Sequence, residues 1–310
     1  MLFRRLEYFV AVAEERHFAR AAQRCHVSQP ALSAAIAKLE RELDTQLIIR
    51  GRNFEGLTQE GQRLLEWAKR ILAEYDALRA ELRFSRSEVT GTLRLGTIPT
   101  AATTVSLMLG AFCAAHPLVK VQVHSAMSTS ELDRRLHSAE LDVAIVPVHP
   151  DISPAVKVVP LYEERYLLVT SAEKLPMDAS SLCWRDAAQL PLLLLTQNML
   201  VREVIDNVFA DHGITVNPRV ETDSIATLIA QVSTGDWACI VPHTWLSTTI
   251  LAGDTRAVEL IEPTLRTQIA VATNASGPTA PVARAFVDSA QQLKLHEFFD
   301  QRLGPIGAVL

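Results

Sequence analysis

The chain has 310 residues, of which 48% are hydrophobic, 21% charged and 6% aromatic, a composition that excludes long disordered tracts and implies a core of Leu, Val, Ile and Ala. A net charge of −5 excludes a protein coated in basic surface, and no apolar run is long enough to span a membrane. Cys25, Cys113, Cys183 and Cys239 are far apart with no CxxC pair, which points to reduced, mostly buried thiols rather than disulfides or a zinc site.

Residues 1–60 carry nine Lys or Arg against eight Asp or Glu, so this end is the less acidic part of the chain, and a local nucleic-acid footprint is compatible with the total. Arg4, Arg5 and Glu7 interrupt the start, leaving no apolar stretch for an export signal, so the cytoplasm is the expected location. Leu6, Phe9, Val10 and Ala13 fall at helical spacing and predict a helix over Phe3–Arg16. A short Ala-rich helix is predicted over Phe18–Arg24, broken at Cys25-His26-Val27. Ser28 then suits an N-cap and Pro30 the first turn of a third helix, whose apolar stripe is Leu32, Ala35/Ile36, Leu39 and Leu43.

Two short helices across a three-residue turn form a helix-turn-helix pattern. The exposed start of the second helix offers Gln29, Ser33 and Ala34; Gln can bond an adenine edge and Ser a base or a phosphate. Leu47–Arg50, a Gly51-Arg52-Asn53 turn and Phe54–Leu57 read as a wing, with Arg50 and Arg52 reaching the backbone or the minor groove. On periodicity alone, a plain three-helix bundle with a hairpin and solvated arginines stays open.

The run Leu6-Glu7-Tyr8-Phe9-Val10-Ala11-Val12-Ala13-Glu14 resembles the opening of LysR-type transcriptional regulators. So do His17-Phe18-Ala19-Arg20-Ala21-Ala22 and Val27-Ser28-Gln29-Pro30-Ala31-Leu32-Ser33. The pattern continues through Ile36, Leu39-Glu40, Glu42-Leu43, Leu47, Arg50 and Leu57-Thr58-Gln59-Glu60-Gly61. This resemblance implies a winged helix-turn-helix over 1–59 that binds double-stranded operator DNA as a homodimer or homotetramer. Ser28, Gln29, Pro30, Ser33, Arg50 and Arg52 are its expected DNA contacts. Three positions depart from the family pattern: Ala34-Ala35 stand where Arg-Gln is frequent, Ile48 replaces a usual Phe, and Asp44 replaces a usual Gly.

Leu64, Ala68, Ile71, Tyr75, Leu78 and Leu82 follow at alternating steps of four and three, a heptad seam flanked by charges. A helix over 60–88 is predicted, and the seam favours a partner helix over packing on its own domain. The resemblance makes it the dimerisation linker, with a hinge at Glu88–Gly91.

From Leu93 the pattern changes to apolar strands alternating with helices, which predicts a parallel, doubly wound sheet. Predicted strands are Leu93–Thr97, Val119–Val123, Val143–Val148, Tyr166–Thr170, Leu192–Leu195, Ala238–Val241 and Ile269–Ala272. Predicted helices are Ala102–Ala115, Ser130–Ala139, Trp184–Ala188, Leu200–His212, Ile225–Thr234, Thr244–Leu251 and Pro281–Leu303. Gly91-Thr92-Leu93-Arg94-Leu95-Gly96, His116-Pro117, Leu141-Asp142-Val143-Ala144-Ile145, Gly235 and Ile240-Val241-Pro242 continue the resemblance to the LysR type. It implies a periplasmic-binding-protein-like effector domain over 89–310. Subdomain I would span about 89–163 and 267–305, and subdomain II about 164–266. The chain would cross near Tyr162–Tyr166 and return near Leu265–Ile269. Trp237-Ala238 replace a glycine common there, which would narrow the nearby pocket.

Ligands of such folds lie at the C-terminal strand ends, where helix N-termini point inward. Hydroxyls cluster at those places: Thr97 and Thr100, Ser128-Thr129-Ser130, Thr196 beside Gln197 and Asn198, and Ser224. With free N–H groups they favour a small carboxylate or oxyanion. Capping alone explains most of them singly. Taken together, Thr97, Thr100, Ser128, Thr129, Thr196 and Gln197 are the expected effector contacts, with Arg202, His149 and His243 as further candidates.

No Gly-rich phosphate loop, HExxH or Gly-x-Ser-x-Gly motif occurs, and the histidines form no i, i+4 pair for a metal. The expectation is a non-enzymatic, cofactor-free regulator that responds to a small molecule. Its architecture is an N-terminal all-α winged helix-turn-helix with a long linker helix, then a C-terminal α/β periplasmic-binding-protein-like domain of two subdomains. A solute-binding protein without a regulatory role is the alternative.

Overall fold

The computed structural model describes residues 2–50, 54–84, 89–125, 127–149, 152–247, 254–275 and 279–302. Arg52 at the wing tip, Glu88 at the hinge and the end of the Thr244–Leu251 segment lie outside the described residues.

The head comprises α1 (Leu2–Glu15), α2 (Phe18–Arg24), α3 (Gln29–Glu42), the strands β1 (Ile48–Arg50) and β2 (Phe54–Leu57), and the start of α4 (Gln59–Phe84). Its core is Leu6, Phe9, Val12, Ala21, Leu32, Ile36, Leu39, Leu47 and Ile48, closed by Ala68 of α4. On α1 the inward face is shifted from the expected one: Ala11 and Val12 are buried, while Val10 and Ala13 are half-buried. Leu43 leaves the expected stripe and is exposed, because α3 ends there as its C-cap.

The heptad seam is used differently along its length. Ala68 is buried, Leu64 and Ile71 pack on the head core, and Tyr75 stacks on Phe3 of α1 at 4.4 Å between centroids. These four seam positions therefore pack on the chain's own head. Leu78 and Trp67 are left with more than half of their surface exposed, at 52% and 58%.

The C-terminal region runs β3 (Gly91–Thr97), α5 (Ala102–Ala115), β4 (Val119–His124), α6 (Thr129–His137), β5 (Val143–Pro147) and the long β6 (Val156–Ser171). It continues with β7 (Ser181–Cys183), α7 (Trp184–Ala187), β8 (Leu193–Leu195), α8 (Leu200–Asp211), β9 (Val220–Thr222), α9 (Ile225–Val232) and β10 (Cys239–Pro242). It ends with β11 (Thr255–Ile261), β12 (Arg266–Asn274), α10 (Pro281–Gln292) and α11 (Leu295–Arg302).

The main sheet has the order β4-β3-β5-β12-β6-β11-β7, with β10 also on β6. β3 is parallel to β4 and β5, whereas β12 is antiparallel to β5 and β6. The sheet is thus mixed rather than all-parallel. Residues Val156–Arg165 of β6 pair with β12, and Tyr166–Ser171 pair with β10 and β11. One strand therefore passes from one layer into the other, and a separate core lies on each side of the switch. Leu95, Phe112, Ile145 and Phe286 centre the first core, and Trp184, Phe209, Val241 and Trp245 the second.

β6 is far longer than the predicted Tyr166–Thr170. Pro160 argues against a strand, but the β6–β12 register shifts beside Ile269, so Leu161 bulges and the proline is tolerated. The predicted Pro281–Leu303 helix is two helices, parted where Lys294 adopts φ 45°. The segment from Thr244 begins as a 3-10 turn over His243–Trp245.

Candidate nucleic-acid interface and effector cleft

The turn between α2 and α3 is built by local hydrogen bonds. His17 caps α2 by accepting from the Ala19 and Arg20 amides (3.2 and 3.4 Å). His26 takes φ 54°, and Val27 N–H returns to the Ala22 carbonyl at 3.0 Å. Ser28 Oγ caps α3 by accepting from Ala31 N–H at 3.4 Å. Ser28, Gln29 and Pro30 are exposed, Ser33 is half-buried, and Ala34 is exposed beside it. The opening turn of α3 thus presents Ser28, Gln29 and Pro30 to solvent while Leu32, Ile36 and Leu39 anchor its other side.

The wing is held by two residues of the family pattern, Glu40 and Thr58, to which the motif alone gives no role. Glu40 accepts from the amides of Leu47 and Ile48 (3.0 and 3.3 Å), tying α3 to β1. Thr58 Oγ1 donates to the Gln46 carbonyl at 2.7 Å and accepts from Gly61 N–H at 2.9 Å, so one hydroxyl closes the wing and caps α4. Arg50 ends β1 opposite Phe54. The cations of α2 are exposed but engaged with α1: Arg24 pairs with Glu14 at 2.7 Å, and Arg20 donates to the Glu15 carbonyl at 2.6 Å.

In the C-terminal region, Thr97 and Thr100 are buried at the end of β3. Thr97 Oγ1 donates to the Ile98 carbonyl at 3.2 Å, and the Thr100 carbonyl accepts from Trp245 Nε1 at 2.7 Å. That second bond joins the two layers directly, so Trp245 closes over Thr100. Ser128 is exposed and caps α6 through Glu131 N–H at 3.2 Å; Thr129 beside it is half-buried. Thr196 is half-buried and donates to Asn198 Oδ1 at 2.7 Å, and Gln197 is exposed. Thr97 and Thr100 thus follow one strand of the first layer, and Thr196 and Gln197 follow β8 of the second.

The charged candidates divide. Arg202 is buried and donates to the Leu195 carbonyl, Asp206 and Glu221 (2.6, 2.8 and 2.5 Å), so its charge fastens α8 to β8 and β9. His243 is buried, and its Nδ1 accepts from Arg165 N–H at 3.1 Å. His149 is half-buried after β5.

A buried acid, Glu164, sits where β6 changes partners and was not singled out from the sequence. Its one-letter context gives no sign of which face points inward. Thr244 Oγ1 donates to it at 2.9 Å, and burial pushes the carboxyl up to about 7.

Two family models match this chain: a bacterial regulatory helix-turn-helix protein of the lysR family over residues 3–62, and a LysR substrate binding domain over residues 86–294. The chain belongs to the LysR family of transcriptional regulators. This LysR-family regulator is 34% identical over 241 residues to a probable hydrogen peroxide-inducible genes activator of Streptomyces viridosporus, covering 77% of each chain. It is 31% identical over 243 residues to the DNA-binding transcriptional dual regulator OxyR of Escherichia coli K12, covering 78% of this chain and 79% of the relative. Its structure is similar to that of a full-length OxyR variant from Pseudomonas aeruginosa, with a TM-score of 0.76, 25% identity and coverage of 93% and 97%.

As a LysR-type regulator it binds operator DNA, is modulated by an effector in its C-terminal domain and assembles into oligomers; it is not an enzyme. Among the described residues, no helix is long and apolar enough to cross a membrane. The regulator accommodates its departures from the family pattern locally. Asp44 takes the left-handed conformation at φ 47°, which Asp tolerates better than most residues, so the turn before the wing survives without glycine. Ile48 is buried in the head core.

Proposed function

We propose that the regulator, divided into a DNA-binding head (1–59), a linker (60–88) and a two-subdomain effector region (89–310), works in the cytoplasm on a pseudo-palindromic operator. Two heads read successive half-sites, and a small carboxylate or oxyanion in the cleft changes how the heads are placed. Such a ligand acts only through its preference for one arrangement over the other.

The observation that carries the reading is the exposed opening turn of α3. Gln29 is exposed there with Ser33 half-buried one turn on, and Ser28 and Pro30 fix the helix start; Arg50 and Arg52 are assigned to the flanking backbone or minor groove. Replacing Gln29 by Ala is expected to cost about 1–3 kcal/mol at the cognate site and to relax base preference. Replacing Arg52 by Ala weakens binding to every sequence and flattens the salt dependence. Footprinting that finds equal affinity of the native protein for all sequences defeats the proposal.

Pairing of the heads is assigned to the outer face of α4, where Trp67 and Leu78 are exposed, as a dimer or a tetramer. For the effector, Thr97 and Thr100 on one layer and Thr196 and Gln197 on the other, with Ser128 and Thr129 at the start of α6, supply hydroxyls and amides suited to an anion. A thermal-shift screen of small carboxylates and inorganic oxyanions tests this, with a flat response counting against it.

Hydrogen peroxide, named for several relatives, is disfavoured as an inducer acting through an intramolecular disulfide. Cys183 on β7 and Cys239 on β10 are three strands apart in the order β7-β11-β6-β10. That is about 14 Å of sheet, against the roughly 7 Å limit for a disulfide. Cys25 belongs to the head and Cys113 to α5, each remote from the second layer.

A further inference from the structure

We propose that Trp245 sets which effectors the C-terminal cleft admits: its indole fills the cleft floor between the two layers and keeps out acids that carry an aromatic ring. This rests on the reading above, in which the cleft lies between the ends of β3 and β8 and takes a small anion.

Trp184 and Trp245 are both buried in the second core, at 1% and 0% exposure, but their polar ends go to different places. Trp184 Nε1 donates at 2.9 Å to the Pro263 carbonyl, which follows β11 of the same layer. Trp245 Nε1 donates at 2.7 Å to the Thr100 carbonyl, 145 residues away in sequence and in the first layer. A buried indole N–H needs an acceptor, and this one reaches it across the boundary between the layers.

The receiving carbonyl lies in the turn Pro99–Ala101, between the end of β3 and the start of α5. Thr97 and Thr100 are buried there, and α5 begins at Ala101 without a side-chain cap, so its leading amides suit a carboxylate. The indole stands against this anchoring end, in the space that the body of a ring-bearing acid needs.

Neighbouring bonds fix the indole. Along the 3-10 turn His243–Trp245, His243 Nδ1 accepts from Arg165 N–H at 3.1 Å, and Thr244 Oγ1 donates to Glu164 at 2.9 Å. Both bonds tie the turn to β6, so Trp245 is a wall of set shape rather than a side chain that swings aside. In a closed apolar pocket a single methylene already discriminates by about 10- to 200-fold, and a whole ring against a fixed wall meets a larger barrier.

The test is calorimetric titration of the full-length protein with sodium benzoate and sodium acetate. A hollow of roughly 150 Å³ is enough to hold a benzene ring. Trp245→Ala should therefore bind benzoate at least about tenfold more tightly than the native protein, with acetate competing. Trp245→Leu, a milder cut that guards against misfolding, should show a smaller gain. Trp184→Ala, which opens an equal hollow away from the first layer, should show none. Trp245→Phe keeps most of the ring and loses the donor; it should still reject benzoate, while hydrogen exchange over residues 100–104 speeds by about two- to tenfold. The inference is overturned if neither Trp245→Ala nor Trp245→Leu gains benzoate, if Trp184→Ala gains it equally, or if Trp245→Phe exchanges like the native protein. Acetate separates the two ways of failing: if the native protein binds acetate, Trp245 alone is misassigned, and if no form binds either anion, the anionic reading of the cleft falls with it.

Discussion

Gly61 shows how a motif letter becomes a steric requirement. A Cβ at this position would lie 2.0 Å from the Leu47 carbonyl oxygen, a backbone atom that cannot swing away. Gly61→Ala is therefore expected to destabilise the head by about 1–3 kcal/mol in urea unfolding of the full chain; a loss under about 0.5 kcal/mol would mean that the wing yields freely. Glu164 carries a pH effect. Its neighbours Tyr162 and Tyr166 on β6, Thr267 across on β12 and Thr244 are uncharged, and its carboxyl is pushed up to about 7. An unfolded chain releases this proton near the ordinary glutamate value. Between that value and about pH 7 the native state keeps a proton that the unfolded state has lost, so stability falls as pH rises through the window and levels off above it. Glu164→Gln should flatten this slope and raise Tm at pH 8. Parallel Tm–pH curves for the two proteins would remove Glu164 as the cause.

At the level of elements, α4 has two functions along one length. Its Ala68 and Tyr75 face the head, so deleting the helix would strip the head core along with any dimer contact. The informative variant is Leu78→Asp with Trp67→Ser, which should lower the sedimentation mass toward a monomer while leaving the melting of the head unchanged. An unchanged mass would remove this face from the interface. Several elements were legible in the residue order because their apolar spacing is local: α2 and α5 fall where the pattern puts them. β11 was not, because Thr255–Val258 are all buried and the strand lacks alternation. The three-residue β7 and β9 are too short to carry a pattern, and they exist because neighbouring strands offer them partners.

Across the whole molecule, Lys69 of α4 lies between Glu14 of α1 (3.4 Å) and Glu140 before β5 (2.9 Å), so one ammonium touches both the head and the effector region. A groove of about 990 Å³ borders this contact, lined by Glu66, Trp67, Arg70, Arg134 and Glu55 among others. Ion pairs of this exposure contribute about 0.2–1 kcal/mol. Lys69→Met should therefore shift operator affinity by at most about fivefold. It should also speed hydrogen exchange in α6; exchange identical to native would mean that the contact does not hold the two parts together. The cysteine placement gives a second whole-molecule prediction. Peroxide treatment followed by mass spectrometry of the non-reduced protein should show no intramolecular disulfide, and the appearance of a Cys183–Cys239 link would contradict the sheet order.

The sequence by itself determined the helix-turn-helix, the wing, the long linker and the alternation of strands and helices beyond it. Each depends on neighbours within a few residues: Ser28 caps its own helix, and Leu32, Ile36 and Leu39 share a face by spacing alone. Only the tertiary structure decided which way β6 and β12 run, which half of the α4 seam faces its own head, and that Arg165 stands opposite Arg266. It alone placed Trp245 over Thr100 and buried Glu164 against the Thr244 hydroxyl. Those facts depend on residues scores of positions apart meeting across a sheet, and local spacing holds no record of such meetings.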